Sequence, residues 1–307
     1  MMRSVLRLAL LLLTTAAMTT PSYAAKKALS AAAATADADT ADIHESVTDI
    51  AVSVNERSGQ SVTGKVVITQ FKPDGDGPFP FVLLNHGRAP NRAQPPRFQL
   101  TQQARYFVQR GFAVFVPTRI GYGAFGTEPD PENAGPCKAK NYASIAQAAS
   151  DEILAVIAYA ARLPYVDAQR LLLVGQSVGG YSTVATVSRN PPGLIAAINF
   201  AGGSGGDPKT RPGEPCEADK LDQMFAAFGR TSKAPMLWLY TENDQHFSPK
   251  YGRAWHAAFI NAGGQAELNV LPPFGRDGHS LFSAGFDIWQ PLVSQFLDEH
   301  GFPAQKM

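Results

Sequence analysis

Short, uninterrupted apolar runs separated by amphipathic stretches are what most restrict the fold of this 307-residue chain. FPFVLLN, ending at Asn85, is the first; Phe112–Val116 and Leu171–Val174 repeat the pattern, and Leu194–Phe200, Pro235–Tyr240 and Ala266–Leu271 extend it. A strand that is apolar on both sides must be covered on both faces, which a sheet held between helices provides. The segments between the runs have helical character. Residues 97–110 read as a helix stopped by Gly111, and another helix runs on from Val178. Asn141–Leu163 carries Ile145, Ala149, Ile153, Val156, Ala160 and Leu163 at steps of three or four, one apolar stripe. The last segment sets Phe286, Trp289, Val293 and Phe296 on one side. Upstream, Val47–Val54 and Ser61–Phe71 flank Arg57-Ser58-Gly59 as a hairpin would. These signals predict an α/β fold: a mostly parallel sheet with an antiparallel N-terminal hairpin at its edge and helices on both faces. No internal repeat is present.

Ligands of such sheets bind beyond the carboxyl ends of the strands. Two long irregular stretches, residues 119–140 and 201–220, each follow a predicted strand and are therefore expected over that edge, as lids or binding loops. Each contains one of the two cysteines, Cys137 and Cys216, in a Pro/Gly-rich setting where a crosslink would do most to order a mobile loop. A disulfide is the expectation, with two separately buried thiols as the alternative.

The N-terminus has a direction. Arg3 and Arg7 precede the apolar run Leu8–Leu13, and Ser22-Tyr23-Ala24 offers small residues two apart, the layout of a signal peptide over residues 1–24. The apolar run is far shorter than the roughly 20 residues that span a bilayer. Export with cleavage near Ala24 or Ala25 is expected, into the periplasm or the medium, with no stable membrane span afterwards. Residues 25–45 read as a flexible Ala-rich leader, poor in side chains that can offset ordering entropy. Residues 46–307 are left as a single domain. Its 27 basic and 26 acidic side chains give a formal charge of +1, which supplies no electrostatic footprint for nucleic acid. A small-molecule or neutral partner fits better; nothing sets an oligomeric state.

Gly175-Gln176-Ser177-Val178-Gly179 is a G-x-S-x-G pentapeptide between the run LLLV and a helix. In that strand–turn–helix setting the pattern has a mechanical meaning: the turn is tight, flanking glycines remove clashes, and the helix N-terminus faces developing negative charge. Ser177 is the candidate nucleophile. A hydroxyl needs a base held by a third group, and in this arrangement the order along the chain is Ser, acid, His. Of His246, His256, His279 and His300, only His279 lies in a loop between the last strand and the final helix, so it is the candidate base. The acid should follow the strand MLWLY; Asp244 is preferred and Glu242 stays open, while Asp277 is read as shaping the His279 turn. For the tetrahedral oxygen, two N–H donors are expected, from Val178 and from Arg88 in the turn Asn85-His86-Gly87-Arg88. His86 is read there as scaffold. Histidines and cysteines lack metal-ligand spacing, so neither metal nor cofactor is expected.

Taken together, His86-Gly87, GQSVGG at 175–180, and TEND (241–244) with DGHS (277–280) resemble the α/β-hydrolase superfamily. Within it the chain is most similar to the dienelactone-hydrolase-like and acyl-esterase-like group, over about residues 60–300. Arg119-Ile120-Gly121-Tyr122-Gly123 resembles that group's R-G-Y-G segment. The resemblance implies hydrolysis of an ester, less often an amide, through an acyl-enzyme without cofactor. Its namesake enzymes use cysteine where Ser177 stands. Arg119, Tyr122 and Phe125, with Lys138, suggest a mixed polar and aromatic mouth for substrate. Two readings stay beside the secreted esterase: a peptidase or amidase of the same fold, and a binding protein on a hydrolase scaffold without catalysis.

Overall fold

Side chains of the central strands divide their burial between two cores, as period-two alternation requires. In β3 (Phe79–Asn85), Phe81 and Leu83 join one core while Val82 and Leu84 join the other; in β5 (Val166–Gln176), Leu171 and Leu173 oppose Leu172 and Val174. The computed structural model describes residues 40–127 and 129–303. The signal-peptide region and residues 25–39 of the leader lie outside the described residues. The folded unit begins at Asp42, ahead of the expected boundary at residue 46. Ile43 is buried and its carbonyl accepts the Lys72 N–H at 3.1 Å, while Glu45 pairs with Arg97 at 2.6 Å.

Eight strands form one sheet in the order β1-β2-β4-β3-β5-β6-β7-β8. The hairpin of β1 (Ser46–Asn55) and β2 (Ser61–Phe71) is antiparallel, and β2 runs antiparallel to β4 (Ala113–Thr118). From β4 onward every pairing is parallel, through β6 (Leu194–Phe200), β7 (Met236–Thr241) and β8 (Ala266–Leu271). The expected architecture is therefore the observed one.

One face is covered by α2 (Tyr142–Ala160), α3 (Val178–Val187), α4 (Ala218–Gly229) and α5 (Pro249–Asn261). The other is covered by α1 (Thr101–Gln109), the short α6 (Leu281–Ala284) and α7 (Phe286–Glu299). Helix α4 was not expected; its start falls inside the stretch read as irregular. Leu221, Phe225 and Phe228 bury its inner face. Among the described residues, no helix is long and apolar enough to cross a membrane.

The connection leaving β3 passes through α1 on one face, whereas that leaving β4 passes through α2 on the other. The chain thus reverses its direction of travel at the β3/β5 pair, and the crevice that opens at such a reversal lies beyond the carboxyl ends of the strands. Asn85 pairs with Gly175 at those ends.

Candidate active site

Ser177 follows β5 and precedes α3 with φ 58° and ψ −125°, a backbone setting that side chains other than glycine rarely adopt. It is held there by its N–H on the Phe200 carbonyl at 2.9 Å and by its own carbonyl, which accepts from Tyr181 at 3.0 Å and Gly203 at 3.1 Å. The flanking glycines are steric necessities. A Cβ on Gly175 would fall 2.2 Å from the Gly179 carbonyl oxygen, and one on Gly179 would fall 2.1 Å from that of Asn85.

Beyond β7, Asp244 accepts the backbone N–H groups of His246 and Phe247 on Oδ1, at 2.7 and 2.8 Å. Its other oxygen accepts the Nδ1–H of His279 at 2.9 Å, with both side chains buried. A carboxylate only accepts, so His279 carries its proton on Nδ1 and presents a lone pair on Nε2. Glu242, the open alternative, is exposed and its N–H joins the β8 edge at Leu271. Asp277 accepts the N–H groups of Gln245 and His279 at 2.9 and 3.0 Å, joining the two loops that carry Asp244 and His279.

The turn after β3 lies against the serine: a Cβ on Gly87 would stand 3.0 Å from the Ser177 Cβ. Val178, at the first position of α3, has an N–H without an intrahelical acceptor. Arg88 points its guanidinium away to Asp130 and, at 3.2 Å, to the Tyr122 hydroxyl. His86 is 2% exposed and stacks on Phe98 with centroids 3.7 Å apart. Burial, then the adjacent Arg119, holds it well below the ordinary histidine value, so it stays neutral.

Arg119, Tyr122 and Phe125 do not form the cleft mouth, which corrects the sequence reading. Arg119 is fully buried, paired with Glu132, and Tyr122 is buried beside it, donating to Glu132 at 3.2 Å. Neither they nor the half-buried Phe125 line the cleft, and Lys138 is exposed outside it. An Arg that finds a carboxylate inside the fold loses the reason to seek solvent or substrate.

Ser177, Val178, Arg88 and His279 border one cleft of about 790 Å³. Its far walls come from both long irregular stretches, at Glu132–Cys137 and Lys140 on one side and at Ser204–Lys209, Arg211 and Cys216 on the other. Cys137 and Cys216 are bonded as a disulfide, so these two walls are one covalent piece. The lining cations Lys140, Lys209 and Arg211, beside an Arg88 already paired with Asp130, face Asp207 and the already paired Glu132. Burial, with Arg88 and Arg211 nearby, holds Lys140 below the usual lysine value.

Two cleft residues escaped the sequence reading. Gln176 donates to the His279 carbonyl at 3.0 Å, and His246 stacks on the His279 ring. Their signal was proximity: one precedes Ser177, the other follows Asp244 by two. Asp244, His246 and His279 hold potential ligand atoms within 4.8 Å of one another. Stacked rings direct their in-plane lone pairs side by side, not to a common point, so the trio suits hydrogen bonding better than a metal.

A doubly covered sheet with this strand order, and a strained serine on the β5–α3 turn, define an α/β-hydrolase. The chain belongs to the dienelactone hydrolase family, whose sequence model matches residues 98–284. No curated protein matches it by sequence. Among solved structures it is similar to one from Klebsiella pneumoniae assigned as a dienelactone hydrolase, at 20% identity and TM-score 0.53, covering 82% of this chain and 98% of that one. Esterase 2 of Thermogutta terrifontis, a structure phosphonylated by sarin, is similar at 17% identity and TM-score 0.55, covering 78% and 92%. An acylaminoacyl peptidase from Pyrococcus horikoshii matches at 13% identity and TM-score 0.57, covering 85% of this chain and 42% of that one.

Proposed function

We propose that this hydrolase is an exported serine esterase that cleaves carboxylic esters through an acyl-enzyme on Ser177. The observation that carries the reading is the pairing of a positive-φ serine with a histidine whose Nδ1–H is spent on a buried carboxylate, both bordering one cleft. His279 takes the Ser177 proton on Nε2 as the serine oxygen attacks the ester carbonyl. Asp244 orients the ring and steadies the imidazolium. The N–H groups of Val178 and Arg88 receive the tetrahedral oxygen. Collapse breaks the ester bond, His279 returns the proton to the departing alcohol, and water repeats the sequence on the acyl-enzyme. Lys140, Lys209 and Arg211 in the lining favour esters that bear a negative charge. The Cys137–Cys216 disulfide supports export, since such bonds persist in oxidising compartments.

Hydrolysis of p-nitrophenyl acetate and butyrate by wild type and Ser177→Ala tests this. Wild-type turnover with a loss of about 10⁴-fold or more in the variant supports the reading. Equal rates in both would overturn the nucleophile. A fluorophosphonate label on wild type but not on Ser177→Ala separates an esterase of narrow range from a scaffold that only binds. Intact mass of the protein recovered from the periplasm or medium tests export: a mature chain starting near Ala25 is expected.

A further inference from the structure

Arg119 follows β4, and β4 is the parallel neighbour of β3, so Arg119 lies beside the turn His86-Gly87-Arg88. Its guanidinium has no solvent exposure and forms two contacts of different kinds. Nη2 donates to the His86 carbonyl at 2.9 Å, while Nε and Nη2 both reach the Glu132 carboxylate, the second at 3.3 Å. Its backbone N–H donates to Nε2 of His86 at 3.3 Å. Because Nε2 is accepting, the neutral His86 ring carries its hydrogen on Nδ1, and that hydrogen goes to the Gly87 carbonyl at 2.7 Å. Carbonyl and N–H point oppositely across a trans peptide. Fixing the Gly87 carbonyl therefore fixes the direction of the Arg88 N–H.

We propose that Arg119, its side chain held by Glu132, is a positioning residue for the oxyanion site: its backbone N–H locks the His86 tautomer and its guanidinium pins the His86 carbonyl, so that the Arg88 amide is aimed before substrate arrives. The role rests on the esterase reading, because it gives meaning to that amide. Glu132 is the element that keeps a guanidinium inside the protein at all. A buried cation without a partner is strongly destabilising, and here the carboxylate also accepts from Tyr122 at 3.2 Å. The arrangement suits the chemistry, since a donor set in advance needs no reorganisation when the oxyanion forms. Lysine is a poor substitute: its single ammonium lacks the fork that reaches both a carbonyl and a carboxylate.

Two measurements test the pair. In ¹⁵N-histidine-labelled wild type, with His86→Asn identifying the signal, His86 is expected as the neutral Nδ1–H form at neutral pH. An Nε2–H form overturns the proposal, and it is read in the wild-type protein itself. In Arg119→Lys and Glu132→Gln with native circular dichroism, kcat for p-nitrophenyl butyrate is expected to fall about 10- to 100-fold, with KM held within about threefold. Unchanged kcat, or a loss confined to KM, overturns it too. Should wild type lack Ser177-dependent labelling and turnover, the esterase reading fails on its own, and the tautomer result still judges the lock on His86.

Discussion

The imidazole of His246 lies flat against that of His279, their centroids 3.9 Å apart and their planes inclined by 21°. Burial, and then His279 itself, holds His246 below its ordinary value, which keeps it neutral beside the ring proposed to take up the Ser177 proton. A stacked ring of this kind contributes about 1 kcal/mol beyond its area, or roughly fivefold in rate. His246→Ala is expected to lower kcat by about that factor, and His246→Phe to restore most of it, measured by steady-state ester hydrolysis. No change in His246→Ala would show that the stack does not hold His279.

Asp244 and Glu242 are two residues apart, yet only Asp244 meets His279. Asp244→Asn turns an acceptor into a group that can favour the wrong tautomer, and a loss in kcat of about 10⁴-fold is expected. Glu242→Gln should leave kcat within about twofold. A reversal of these two results would reassign the acid.

The Cys137–Cys216 bond closes a long loop, its ends 79 positions apart. In the chain-entropy account this contributes about 4 kcal/mol, and at about 2–4 °C per kcal/mol for a domain of this size the melting temperature should drop by roughly 10 °C on reduction. Cys137→Ser and Cys216→Ser are expected to match reduced wild type. Melting curves with and without dithiothreitol decide it: an unchanged midpoint means the fold does not rely on the bond.

Glu152 predicts a pH slope of definite sign. Burial raises its carboxyl well above the ordinary value, and its Oε2 accepts the Ile120 N–H at 2.7 Å. The folded chain then keeps a proton that the unfolded chain releases, so this residue's contribution to stability is lost as pH rises above about 4.5 toward its folded value. His86 has the opposite sign: lowered when folded, it costs stability as pH falls below about 6.5. Between those two pH values their slopes oppose each other. Glu152→Gln is expected to remove this residue's share of the decline in urea-unfolding free energy as pH rises above about 4.5, by up to about 1.4 kcal/mol per unit. An identical slope in the variant would remove Glu152 as its source.

What the residues made legible was whatever depends on local pattern. Apolar runs fixed which segments are buried strands, and the strand–turn–helix setting of Ser177 followed from neighbours within a few residues. Choosing between Glu242 and Asp244 needed the direction in which the chain leaves β7, which no local rule supplies. Arg119 and Tyr122 looked like a substrate mouth because a polar and aromatic loop usually faces water. Their partner Glu132 sits 13 and 10 residues downstream in a stretch without periodicity. Helix α4 escaped notice because its apolar positions, Leu221, Phe225 and Phe228, begin where a Pro/Gly-rich segment ends.

The two segments that overhang the cleft are inserted after different strands, β4 and β6, and a loop anchored only at its own ends could be rewritten without regard to the other. Their disulfide removes that independence. Mechanically they make a single arch springing from two strand ends, so lengthening one limb tilts the opposite wall and changes the span left for substrate. Divergence in what this scaffold accepts is therefore expected as paired changes in both limbs, while the sheet beneath keeps Ser177, Asp244 and His279 on one fixed footing.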